Sequence, residues 1–92
     1  MGKYSIEIKE TAQKEIKLIQ KSGDRATIKK IELILLELEN HPTTGTGKPE
    51  LLKHELSGYW SRRLNKKDRI IYQILEDEVI VVLVSALGHY EK

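Results

Sequence analysis

Seven side chains in this 92-residue chain form a set that could cut a phosphodiester without a metal: Glu50, Lys53, Arg62, Arg63, Arg69, His89 and Tyr90. Such a cleavage needs a base to take the proton from the attacking hydroxyl and an acid to protonate the leaving oxygen. It also needs cations to stabilise the charge that builds on the phosphorane-like transition state. A carboxylate, arginines and a histidine supply those roles. An RNA strand brings its own nucleophile, the 2′-hydroxyl, so no protein nucleophile is required.

Taken singly, each residue also has a plainer reading. Glu50 follows "GKP" in a loop and can be a solvated carboxylate. Arg62 and Arg63 are adjacent on an expected strand, so they point to opposite faces and at most one lines a given groove. Arg69 opens a strand and can pair with an acid. His54 reads as a polar core or hinge residue before it reads as chemistry. His41 precedes Pro42 at a helix end, where it can bind the last carbonyls. Tyr59, Trp60 and Tyr72 suit packing on a sheet better than base stacking. Tyr90 can stack on a base or tuck under the sheet edge.

The elements that must position these residues are set by periodicity. "YSIEIK" alternates, with Tyr4, Ile6 and Ile8 on one side, as in a half-buried strand. "ETAQKEIKLIQKSGD" carries Ala12, Ile16 and Ile19 at helical spacing and stops at Ser22-Gly23. Asp24 is placed to cap a second helix, whose stripe is Ile28, Ile31, Leu35 and Leu38 with Ile34 beside it. Pro42 ends it. A short turn makes the two helices an antiparallel hairpin. The segment 42–49 holds two glycines and two prolines and is the one loop. Beyond it the pattern is strand-like, with turns at Ser57-Gly58, Asn65–Asp68 and Glu76–Glu78. The last strand is apolar on both faces and should lie centrally. The expected order is β-α-α-β-β-β-β: an α+β fold, a twisted antiparallel sheet with an N-terminal helical hairpin on one face. The other face is left free, and the basic residues cluster there.

Composition bounds the rest. Ninety-two residues make one small domain (1–92) with a modest core. Hydrophobic residues are 39% and charged residues 33%, as expected of a soluble protein. The absence of cysteine excludes disulfides and thiolate chemistry and argues against a Cys/His zinc site. No signal-peptide pattern is present, and the apolar run Val79–Val84 is far too short to cross a bilayer. The net charge of +2 is unevenly spread. Residues 48–69 hold seven bases and three acids, a local +4, whereas residues 70–92 carry −3. A basic patch attracts phosphates, although it can equally be a solvated face that resists aggregation.

The run "GTGKPELLKHELSGYWSRRLNKKDRIIYQI", followed by the terminal "HY", resembles the YoeB/Txe toxins of the RelE superfamily. The agreement is close from Gly45 to Ile74 and again at His89-Tyr90; the first forty residues agree only in pattern and length. The resemblance implies the fold of the small microbial ribonucleases, matching the order above. It implies a bacterial toxin of a type II toxin–antitoxin module that binds the ribosome and cleaves mRNA in the A site, with no metal or other cofactor. It assigns Glu50 of "GKPE" as general base and Lys53 of "LKH" to the phosphate. Arg63 and Arg69 would stabilise the transition state. His89 would be the general acid, and Tyr90 would order the scissile nucleotide. His54 and Arg62 are expected on the substrate side of the groove. The implied partners are the ribosome, mRNA and an antitoxin of the Phd/YefM type, with a homodimer possible, no membrane and a cytoplasmic location. The competing expectation is a non-catalytic relative of the ParE type, which binds gyrase; that type lacks the glutamate, lysine and terminal His-Tyr present here.

Overall fold

The computed structural model describes residues 3–88, with side chains through residue 86. The chain forms β1 (Ser5–Ile8), α1 (Glu10–Ser22), α2 (Arg25–Leu38), β2 (Glu50–Leu51), a 3-10 turn (His54–Leu56), β3 (Tyr59–Arg63), β4 (Arg69–Leu75) and β5 (Ile80–Gly88). This is the expected order. One five-stranded sheet runs β1-β5-β4-β3-β2. Four of the strands make antiparallel neighbours, but β1 lies parallel to β5, with Ile6 opposite Val81 and Ile8 opposite Leu83. The sheet is therefore mixed rather than antiparallel. A parallel pair needs a long connection, and the whole of the chain between β1 and β5 supplies it.

Local chemistry sets the helix ends. Gly23 takes φ 80° behind α1, the left-handed conformation that side chains resist. Asp24 then caps α2: its carboxylate accepts from the Thr27 amide at 3.2 Å and the Thr27 hydroxyl at 2.7 Å. Those bonds lower the Asp24 pKa. The second helix stops at Leu38, ahead of the buried Pro42.

Ala12, Ile19, Ile31, Ile34 and Leu38 of the helices pack against Ile70, Tyr72, Val81, Leu83 and Ala86 of the sheet. Fully burying one such Ile or Leu is worth about 1.5–3 kcal/mol, so this face carries the fold. As expected, β5 lies inside the sheet, between β1 and β4. The opposite face is less free than expected: Ile71 and Val82 point to it and are buried.

Two register shifts interrupt the β4–β5 ladder, between Arg69 and Ile71 and between Ile71 and Tyr72. Irregularities of this kind bend a strand and redirect the side chains beyond them. Here they lie on the approach to the end of β5.

Val79 closes the turn between β4 and β5 with φ 56°, and its amide donates to the Glu76 carbonyl at 3.2 Å. A β-branched residue is strained in that conformation, by about 1–2 kcal/mol. Val79→Gly is expected to stabilise the protein by up to about 1 kcal/mol, a rise of about 4–8 °C in Tm for a domain of this size. A thermal melt checks this; an unchanged or lowered Tm would show that the valine side chain contributes more than its backbone costs.

Candidate active site

Strand parity sorts the candidate residues onto two faces. In β3, Trp60 and Arg62 stand opposite Tyr72 and Ile70, and so face the helices. Ser61 and Arg63 stand opposite Ile71 and Arg69, and so face the other way. Glu50 lies opposite Ser61 on the far side of β3. The pairing of β2, β3 and β4 thus brings Glu50, Arg63 and Arg69 onto one face, although two turns and the 3-10 segment separate them in sequence.

On that face an Arg69 Nη1 lies 3.7 Å from a Glu50 Oε1. Both groups remain partly exposed, at 23% and 43%. Arg63 is exposed and directly opposite Arg69. Like charges in directly opposed positions destabilise a sheet, so among the described residues two guanidiniums sharing the Glu50 carboxylate leave positive charge for an anion to neutralise. Ser61, on the same side of β3, is buried and its hydroxyl makes no hydrogen bond among the described residues.

Lys53 and His54 lie just beyond β2, both exposed. His54 opens the 3-10 turn with φ 61°, and its carbonyl accepts from the Ser57 amide at 3.0 Å. His89 and Tyr90, expected to complete the site, lie outside the described residues. Among the described residues, no three His, Cys, Asp or Glu side chains gather as a metal site would need.

Arg62 is the correction. Expected beside the substrate, it is completely buried and has no surface to offer. Its guanidinium is consumed within the protein. Nη1 donates to a Glu37 Oε1 at 2.8 Å and to the Thr46 carbonyl at 3.3 Å. Nη2 donates to the carbonyls of His41 and Thr44, and Nε to the Tyr72 hydroxyl at 3.1 Å. Tyr72 donates its own proton to the Pro42 carbonyl at 2.6 Å. Glu37 in turn accepts from the Thr46 amide at 2.8 Å and hydroxyl at 2.7 Å. Sequence reasoning missed this network. Its signal was present in "WSRRL": Trp60, Arg62 and Leu64 share one parity, so Arg62 sits between two apolar residues on the inward side.

The network shifts the groups within it. Burial raises the Glu37 pKa, but the Thr46 hydroxyl and amide and the Arg62 guanidinium lower it further, and the net shift is downward. Burial raises the Tyr72 pKa, against the pull of Arg62. A depressed carboxylate stabilises the fold above its unfolded pKa, and that contribution is lost as pH falls through the folded value. Stability should therefore fall as the solution is acidified below the ordinary glutamate range. Glu37→Gln should flatten that part of the curve. Urea melts across the acidic range test this; identical slopes for the two proteins would refute it.

The family described as "YoeB-like toxin of bacterial type II toxin-antitoxin system" matches residues 9–90. The chain belongs to the YoeB toxin family. It is 42% identical to Toxin YoeB of Mycobacterium bovis over 69 residues, 75% of this chain and 79% of that toxin. The YoeB dimer from Staphylococcus aureus superposes with a TM-score of 0.80 at 33% identity, covering 97% of this chain and 100% of that one. The heterotetrameric YoeB-YefM toxin-antitoxin complex from the same species gives 0.77 at 32%, covering 95% and 98%. The α+β architecture expected from periodicity is thus that of the YoeB toxins, and no helix of the described residues is long and apolar enough to cross a membrane.

Proposed function

We propose that this YoeB-family toxin is an endoribonuclease that cleaves mRNA in the ribosomal A site and so arrests translation. The observation that carries the reading is the carboxylate of Glu50 set 3.7 Å from Arg69, with Arg63 opposite that arginine on the same face. At that distance Glu50 is held by charge rather than by a hydrogen bond. A phosphodiester entering the face offers Arg69 and Arg63 better partners, because a guanidinium fork matches a phosphate in two places. Glu50 is then released beside the ribose.

In this mechanism Glu50 takes the proton of the 2′-hydroxyl, and the oxygen attacks the adjacent phosphorus. The guanidiniums of Arg63 and Arg69 stabilise the added negative charge. The bond to the 5′-oxygen breaks, leaving a 2′,3′-cyclic phosphate and a 5′-hydroxyl. Family resemblance assigns the proton for that oxygen to His89, the ordering of the nucleotide to Tyr90, and contacts with the strand to Lys53 and His54. No metal is required at any step. The toxin would act in the cytoplasm. Its expected partners are the ribosome, a YefM-type antitoxin like that bound in the S. aureus complex, and a second copy of itself, as in the S. aureus dimer.

Programmed ribosomes test the reading. Primer extension should reveal cuts inside the A-site codon that need both ribosome and toxin, with 5′-hydroxyl ends. Cuts bearing 5′-phosphates would refute the chemistry. A folded toxin that binds ribosomes or gyrase but leaves mRNA intact would refute catalysis altogether.

A further inference from the structure

We infer that buried Arg62, together with Glu37, is the positioning device for Glu50. The consequence for turnover rests on the ribonuclease reading; the anchoring itself does not. The segment between α2 and β2 has no regular structure of its own, yet it must deliver Glu50 to one spot beside Arg69. Its carbonyls turn inward at four positions: His41, Thr44 and Thr46 onto Arg62, and Pro42 onto Tyr72. Glu37 grips the same loop from α2 through both the amide and the hydroxyl of Thr46. One guanidinium and one carboxylate thus tie the loop to the sheet and to the helix at once.

The join to β3 comes immediately after. The Arg63 amide donates to the Gly47 carbonyl at 2.7 Å, and Glu50 then falls opposite Ser61. The chain neighbours of Arg62 therefore receive the loop, one on each side. The approach is too close for a side chain: a Cβ on Gly47 would stand 2.8 Å from the Arg63 carbonyl oxygen, and Gly47 has φ +87°. Arg62 sets the loop from below and its neighbours set it from the side, so the place of Glu50 on the outer face is decided by a residue on the inner one.

The guanidinium shape matters here, because its donors must reach separate acceptors in fixed directions. An ammonium issues its donors from a single point. Arg62→Lys keeps the charge opposite Glu37 but cannot span the carbonyls. Glu37→Ala removes the grip from the helix side at a partly exposed position, and Glu37→Gln restores an acceptor of the same size.

Amide hydrogen exchange and single-turnover cleavage on programmed ribosomes test the inference together, on variants whose fold is checked by circular dichroism. In Glu37→Ala, and in Arg62→Lys where it folds, the Arg63 amide should exchange at least about tenfold faster. The amides of β4 and β5 should hold their protection. Turnover should drop by about 10–100-fold with KM within about threefold, because a displacement of about 1 Å at a reacting group costs that much. Glu37→Gln should return both readouts toward the parent, which a general loss of stability would not do. An Arg63 amide as protected in Glu37→Ala as in the parent overturns the anchoring. Parental turnover from a loosened loop overturns its role in catalysis. If the parent itself cuts no RNA, the ribonuclease reading and the turnover claim both fall, while the Arg63 amide still decides the anchoring.

Discussion

Replacing Arg62 with leucine is expected to destabilise this toxin by about 3–5 kcal/mol, more than any other single charge change among the described residues. The side chain is fully buried and its ion pair with Glu37 is short, at 2.8 Å. Leucine leaves the Glu37 carboxylate facing an apolar neighbour. It also strands the carbonyls of His41, Thr44 and Thr46, which now depend on the guanidinium. Each buried polar group left without a partner costs about 1–3 kcal/mol. For a domain of this size such a loss lowers Tm by more than about 12 °C.

The double replacement Arg62→Leu with Glu37→Leu should be less damaging than the arginine change alone, since it leaves no orphaned charge. Urea melts of the parent, both single variants and the double variant give the coupling directly. A loss under about 1 kcal/mol for Arg62→Leu would mean that water reaches the network and replaces the guanidinium. The contrast with Arg63 is instructive. Arg63 is exposed on the other face, and Arg63→Leu should leave the melt within about 0.5 kcal/mol of the parent. Two adjacent arginines would then differ several-fold in their effect on stability, in the order set by the face each one occupies.

Glu50→Gln carries the largest expected loss of activity. If Glu50 is the base of the proposed ribonuclease, removing its carboxylate should slow cleavage by about 10²–10⁴-fold. The glutamine is isosteric, and the position is partly exposed, so the fold should be unaffected. Binding of an uncleavable 2′-deoxy strand on the ribosome should be as tight or tighter, because a negative charge has been removed from beside the phosphate. Arg69→Ala should cost a comparable factor, about 10²–10³, through lost stabilisation of the transition state. Arg69 also holds Glu50 at 3.7 Å in the free protein. The double variant should therefore be slower than the parent by less than the product of the two single losses, as for groups that act as a unit. Single-turnover rates on programmed ribosomes decide this. A Glu50→Gln toxin that cleaves within tenfold of the parent would remove Glu50 from the mechanism.

The helices and their ends were legible because the chemistry that makes them is local. Gly23 and Asp24 act within one turn of chain, and Ala12, Ile19, Ile31 and Leu38 repeat at the helical period that buries them. The strands were legible for the same reason, since Ile6 and Ile8, or Ile70 and Tyr72, alternate. Parallel pairing of β1 with β5 was not legible. It joins residues more than seventy positions apart, and nothing in the alternation of β1 states the direction of its neighbour.

The candidate site divides in the same way. Residue types told what chemistry the chain could carry, and the motif around "GKPE" and "WSRR" told which residues to watch. Alternation alone required Arg62 and Arg63 to part company. Which of them turns inward was settled by the partners across the sheet: Arg62 shares its side of β3 with Trp60, opposite Ile70 and Tyr72, under the helices. The nearness of Glu50 to Arg69 was likewise settled by the register of β2 on β3 and of β3 on β4. The sequence by itself determined the elements, their order and the set of reactive groups, because these depend on periods and residue chemistry along the chain. Only the tertiary structure decided which arginine turns inward onto the loop carbonyls and which stays exposed on the other face, because that choice belongs to contacts between strands and helices that lie far apart in the chain.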